Sequence, residues 1–459
     1  MANVLSKSGI NNSSTIEAWH VSQSVDAFAG LSAYDITISG SLDVTGPTSI
    51  TGPTSITGST SIIGGLTTTE DSSINGLTIG RGSGNVNTNT ALGAAALLSN
   101  TTGDLNTAVG KNALYCNLTG RFNTAVGANA LFCNTANYNT AVGYQALRCN
   151  TAGISNTAVG LNALQFNTNS SNTAVGMSAL RFNTTGYNNT ALGRYALLSN
   201  TTGVDNTAVG SLALFSNTTG YRNTAVGKSA LLDNQTGINN TAVGVSALYC
   251  NTTGIQNTAL GVNALRNNTT GNNNTAVGLY ALRCNITGNY NTALGVSALL
   301  NNTTGIRNTA VGLQALLFNT SGSNNTALGD RALRSNTTGN NNTAVGVNAG
   351  CSITTGASNV ILGSATAQGF GTQDCNIFIS DGAGNTRIFV TGSNGNVGIG
   401  TTFPSSSLHI DGSSVRLTLT PQVPTLAAGA PAGSLATSGS TGTMKLYISD
   451  GTSWLPVGP

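Results

Sequence analysis

NTAVGKNALYCNLTGRF, residues 106–122, runs straight into NTAVGANALFCNTANY, residues 123–138, and this near-copying decides the fold. NTAVG or NTALG begins at Asn89, Asn106, Asn123, Asn139, Asn156 and Asn172 and continues to Asn342; a degraded copy, NVILG, begins at Asn359. The step is 17 residues except from Asn123 to Asn139 and from Asn156 to Asn172, where it is 16. Both short units have lost the usual TTG and read NTANY and NTNSS, so that stretch is a turn that tolerates deletion. A fixed period of this size is the mark of a solenoid, in which stacked units bury apolar residues that no single unit can bury.

Within the consensus NTAVGxxALxxNTTGxx, two apolar pairs, Ala-Val and Ala-Leu, flank a Gly and two variable positions. Each pair reads as a short strand with one side chain to each face. Helix is disfavoured, because Gly, Asn and Thr recur every few residues. Coils in register would stack identical side chains at about 4.8 Å, giving Asn and Thr ladders along a rod on the order of 80 Å. The predicted fold is all-β, an elongated β-solenoid or β-roll of 17-residue coils. Its defining positions are Asn106, Val109, Gly110, Ala113 and Leu114, with Asn123, Val126 and Gly127 as their mates in the next coil. Gly at the fifth position and in TTG fits a positive φ or a close backbone approach. One face of each strand would fill the coil interior; the other needs cover, which neighbouring chains would supply. The tenth position mixes Tyr115, Phe132, Phe215 and Tyr249 with Arg148, Arg181, Arg266 and Arg283, and reads as a partly exposed rim.

Composition narrows the function. Charged residues make up 7% of 459, against roughly 25% in an ordinary soluble domain. His20 and His409 are the only histidines and Glu17 and Glu70 the only glutamates, too few for histidine catalysis or multi-histidine metal binding. No Cys-x-x-Cys pair suggests zinc. Glycan cleavage needs two carboxylates roughly 5–10 Å apart, whereas Asp104, Asp205, Asp233 and Asp330 fall in separate coils. No enzyme activity, cofactor or metal is expected. A net charge of +3 implies no bulk attraction to nucleic acid. Residues 89–358 carry 12 Lys/Arg and 4 Asp, but at scattered unit positions, which reads as a solvated surface. Membrane insertion is not expected, since no stretch reaches roughly 18 apolar residues without a charge. Cys116, Cys133 and Cys149 share the eleventh position of consecutive units, as small fillers close enough by coil spacing for a disulfide. The Asn-Thr-Thr sequons, such as Asn100-Thr101-Thr102, read as turn and ladder residues.

The flanks divide the chain further. Residues 1–44 read as an attachment or capping region, 45–66 as a shaft of six-residue TGPTSI repeats, and 67–88 as a transition into the array at 89–358. Pro47 and Pro53 forbid helix in the shaft. Residues 359–420 alternate apolar and polar around SDG, GSNGN and DGS and read as β-hairpins. Residues 421–438, rich in Pro, Ala and Gly, read as a linker, and 439–459 as a last hairpin anchored by Trp454.

IEAWHVSQSVDAFAGLSAYDITISGSLDVTG, the TGPTSI shaft, the NTAVGxxAL array and NGNVGIGTTFPSSSLHIDG together resemble tail-fibre and virion-fibre proteins of bacteriophages and large DNA viruses. NTAVGxxAL is also similar to the head repeats of trimeric autotransporter adhesins, which implies a β-roll in a homotrimer. The resemblance implies a structural fibre on the virion surface, joined to a virion attachment protein and reaching for a host-surface glycan or protein receptor. No leader or outer-membrane anchor pattern of those adhesins is found, and no Ser-Asp self-cleaving segment. A bacterial surface adhesin is the alternative. A glycan-cleaving tailspike and an ice-binding solenoid, whose Thr ladders would order water, are more distant ones.

Overall fold

The computed structural model describes residues 72–74, 77–84 and 86–411, and the backbone of three later strands. The chain divides into two units, Met1–Thr69 and Glu70–Pro459, and the described residues belong to the second. The attachment region 1–44, the six-residue shaft 45–66 and the first part of the linker at 421–434 lie outside them.

Among the described residues there is no helix, and therefore none long and apolar enough to cross a membrane. A hairpin of β1 (Ser72–Ile74) and β2 (Leu77–Gly80) pairs antiparallel with β3 (Thr90–Leu92). From β3 a parallel ladder climbs one strand per coil through β4 (Thr107–Val109) and β5 (Thr124–Val126) to β18 (Thr343–Val345). Every pairing sets Thr against Thr, Ala against Ala and Val or Leu against its counterpart, with Ala108 facing Ala91 and Ala125. The two 16-residue steps keep this register, because the missing residue comes out of the loop.

The ladder passes the boundary at residue 358 that motif spelling suggests. β19 (Val360–Leu362) and β20 (Ile377–Ser380) extend it in parallel, one coil each. Only then do hairpins follow, β20 with β21 (Thr386–Val390) and β21 with β22 (Val397–Ile399). β22 pairs with β23 (Leu408–Ile410) in parallel, through a loop that carries the chain back to the same end; the strand expected after the DGS turn lies outside the described residues. Leu435–Ser438, read as linker, is the first strand of a three-stranded antiparallel sheet with Lys445–Ser449 and Trp454–Pro456. Its four residues hide at the tail of a Pro- and Gly-rich stretch.

The Ala-Leu pair departs most from expectation. It forms no strand and does not split between two faces, since Ala113 and Leu114 are both fully buried. Leu114 sits in the left-handed region at φ 51°, as do Asn112 at 56° and Phe122 at 57°. The same three positions repeat this in coil after coil. Each left-handed residue costs about 1–2 kcal/mol, so three per coil exceed the roughly 1.5–3 kcal/mol from burying one Leu. Hydrogen bonds between coils supply the rest. Leu114 N–H donates to the Ala130 carbonyl at 3.0 Å and Cys116 N–H to that of Phe132 at 2.9 Å, both forward. Gly110 N–H donates back to the Leu92 carbonyl at 2.7 Å and Asn112 N–H to that of Ala94 at 2.9 Å. Gly110 itself is at φ 129°, and a Cβ there would stand 2.7 Å from the Gly127 carbonyl carbon, so no other residue fits.

Two buried Asn rows fasten the corners. In the first, Asn223 N–H donates to Asn206 Oδ1 at 3.0 Å and Asn223 Nδ2 donates to the Gly237 carbonyl at 2.8 Å. In the second, Asn234 Nδ2 donates to Asn217 Oδ1 at 2.8 Å and to the same Gly237 carbonyl at 3.1 Å. One glycine carbonyl thus ties both rows together. Outside them runs a Thr row, in which Thr201 Oγ1 donates to the Thr218 carbonyl at 3.1 Å.

Candidate functional site

The repeat-defining residues divide by direction. Asn106, Asn123, Ala113 and Leu114 are buried within the coil. Gly110 and Gly127 stack backbone on backbone. Val109 and Val126 point outward and are half-exposed. The outward Thr of each strand stands on the same side, and the sixth unit position, just past the Gly, is exposed or half-exposed as well. From residue 245 to 313 that sixth position is apolar in five consecutive coils, Val245, Val262, Leu279, Val296 and Leu313. Beside it stand Leu260, 48% exposed, and Leu294, 47% exposed, with Leu328 continuing the row. A continuous apolar stripe of this kind is unusual on a lone soluble chain, which scatters such residues singly.

A second surface carries arginines over aromatic rings. Tyr115 and Phe132 stack with centroids 4.9 Å apart, and the Arg148 guanidinium lies 5.8 Å from the Phe132 ring in the following coil. Phe122 and Tyr138 stack at 5.0 Å, with Arg121 at 5.4 Å from Phe122. Arg121 Nη2 also donates to Asp104 Oδ2 at 2.8 Å, and its hydrogen bonding holds the Asp104 carboxyl below the usual range. Arg266 over Tyr249 and Arg307 over Tyr290 repeat the pairing farther along. The tenth-position rim is half-buried, as in Tyr115, Phe132, Arg148 and Arg266. Arginines that looked scattered by unit position have ring partners, some next to them in sequence, as Arg121 beside Phe122, and some at the same unit position one coil away, as Arg266 over Tyr249.

Cys116, Cys133 and Cys149 do come together in three consecutive coils, half-buried, and all three are free thiols. Burial, and then the neighbouring Cys133, push the Cys116 thiol up; burial pushes Cys149 up. Both are thereby weak nucleophiles at neutral pH. Among the described residues no three His, Cys, Asp or Glu side chains converge on a metal position. Asp104 pairs with Arg121 and Asp205 lies 4.0 Å from Arg222, while Asp233 and Asp330 occupy other unit positions. The sequon residue Asn100 is buried in the second Asn row.

No family model, no curated protein and no solved structure matches the chain.

Proposed function

We propose that this chain is a structural, non-enzymatic fibre protein displayed on a virion, assembled as a homotrimer and used for attachment to a host surface. The observation that carries the reading is the uncovered outward row of Val and Leu that accompanies the parallel ladder, joined by the apolar stripe from Val245 to Leu313. A face with a regular coil-to-coil spacing is best covered by a face of the same spacing, which another copy of the chain provides. Packing three such faces together removes the stripe from water, and at roughly 25 cal/mol per Å² of apolar surface that is a substantial driving force. The paired arginines and rings then remain outside, repeated along the coils. Individually weak contacts made in many copies bind a host glycan or protein receptor by avidity. The amino end is the natural place for joining a virion attachment protein.

Solution mass with negative-stain imaging tests this. The expected result is a particle of three times the 46.0 kDa chain mass and rod-like outline; a compact monomer overturns it. The outward Thr row lies on the same face, so ice binding and trimer burial exclude each other there, and thermal hysteresis by the purified chain would favour the former.

A further inference from the structure

Beyond the last parallel coil the chain gathers four phenylalanines. Phe370, in the loop between β19 and β20, has its ring centroid 5.3 Å from Phe378, 5.0 Å from Phe389 and 6.2 Å from Phe403. Phe378 and Phe389 are buried in the end of the core, whereas Phe403 is 78% exposed, the most exposed large apolar residue among those described. Phe370, Phe389 and Phe403 are among the residues that line an open cleft of about 750 Å³. The size lies within the usual range for small-ligand sites.

The polar lining has two kinds of group. Some are committed: Asp374 Oδ1 accepts from Ala357 N–H at 2.6 Å, and Asn376 Oδ1 accepts from Gly392 N–H at 3.1 Å. Others are free within the described residues, namely the hydroxyls of Thr372, Ser393 and Thr402, the Gln373 side-chain amide and Asp374 Oδ2. No Lys or Arg lines the cleft, and Asp374 is its one charged group. Its field repels carboxylates, sulfates and phosphates. The site therefore offers the exposed Phe403 ring and the half-buried Phe370 ring beside uncommitted hydroxyl, amide and carboxylate groups, with no counter-charge for an anion. That combination fits a molecule with an apolar C–H face and a hydroxyl edge. Ring faces carry negative partial charge and attract such C–H groups.

We propose that the cleft formed by Phe370, Phe389 and Phe403 binds a neutral saccharide, stacked on Phe403 and hydrogen-bonded through Gln373 and Asp374. The proposal deepens the attachment reading above and rests on it for its biological use, but not for its chemistry.

The full chain, incubated with a panel of neutral hexose and N-acetylhexosamine oligosaccharides beside sialylated and uronate-bearing ones, tests it. Neutral members are expected to bind and acidic ones not. Phe403→Ala should weaken the best binder by about tenfold or more, as loss of an anchoring aromatic does, with melting temperature and solution mass unchanged. Gln373→Ala should weaken it less. Binding of acidic sugars only, binding of no sugar, or full binding by Phe403→Ala each overturns the proposal. So does a Phe403→Ala chain of altered mass or stability, which would make the ring a packing element. A trimeric rod without saccharide binding removes the cleft alone, while a monomer that binds neutral sugar removes the fibre reading alone.

Discussion

In the coil that begins at Asn223, Ala225, Ala230 and Leu231 fill the interior, and Asn223 and Asn234 hold the corners. In the coil that begins at Asn342, Gly350 stands where Leu stood and Ile353 where the second Asn stood. The space above Gly350 is taken by Ile361, whose Cδ1 lies 3.2 Å from where a Cβ would be, and by Leu333 from the coil before. The second Asn row ends there, and Asn336 Oδ1 is left buried without a donor. The first row runs on to Asn376, where the Gly392 amide closes it. The difference teaches that the polar rows depend on a following coil. Where the stack ends, Ile353 takes the second Asn's place, and Ile361 and then Phe378 take the place of the small strand Ala.

The largest contrast should come from glycine. Gly210, at φ 134°, would place a Cβ 2.6 Å from the Gly227 carbonyl oxygen, whereas Gly382 in the terminal hairpin has nothing within 4 Å. Gly210→Ala is expected to destabilise the flanking coils by about 4 kcal/mol or more, and Gly382→Ala to do almost nothing. Urea titration read by amide hydrogen exchange separates the two; equal effects would remove the claim of close coil contact.

Leu231→Ala comes next, with a loss of about 3 kcal/mol from the cavity it leaves. Heat denaturation compared with the unaltered chain measures it, and a loss under about 1 kcal/mol would mean the interior collapses freely.

Asn234→Ile transplants the terminal arrangement into the middle. It strips Asn217 Oδ1 of its donor and takes from Asn251 Nδ2 one of its two acceptors, leaving the Gly254 carbonyl. A penalty of about 2 kcal/mol is expected, the price of buried polar groups left unpaired. A neutral result in the same melting assay would show that neighbouring coils re-pair around the gap.

The smallest effect belongs to the hairpin between β20 and β21. Hydrogen bonds from Asn385 and then Arg387 hold the Asp381 carboxyl down to about 2, below its ordinary 3.8. A lowered folded-state value stabilises fully above 3.8 and loses that contribution as pH falls through about 2. The turn should therefore loosen between those values while the coils stay intact. Resonances of Asn385 and Arg387 followed by acid titration check this, and a midpoint near 3.8 would mean the carboxylate is unbound.

Much of the ladder is legible in the sequence, because a strict period leaves one way to stack Asn on Asn and Ala on Ala. The boundary at 358 failed for a related reason. Asn376 lies 17 residues after Asn359, so NIFIS keeps the period after losing the spelling. The left-handed turns also leave a signal in the sequence. The seventh, ninth and seventeenth positions hold no Val, Ile or Thr from Ala95 to Ser358, in a chain crowded with Thr. β-branched side chains are the ones a left-handed backbone tolerates least, so their exclusion marks the conformation. Arg-ring neighbours such as Arg121–Phe122 stand side by side in the sequence, whereas cross-coil pairs such as Arg148–Phe132 and the phenylalanine cleft were not legible, since their members meet only after the chain has coiled or turned back.

The central claim is that successive segments are rungs, with backbone hydrogen bonds parallel to the stack. X-ray diffraction from an aligned film of the purified protein tests it most directly. A meridional reflection near 4.8 Å is the expected result; its absence, or a helical reflection near 1.5 Å in its place, would contradict the account.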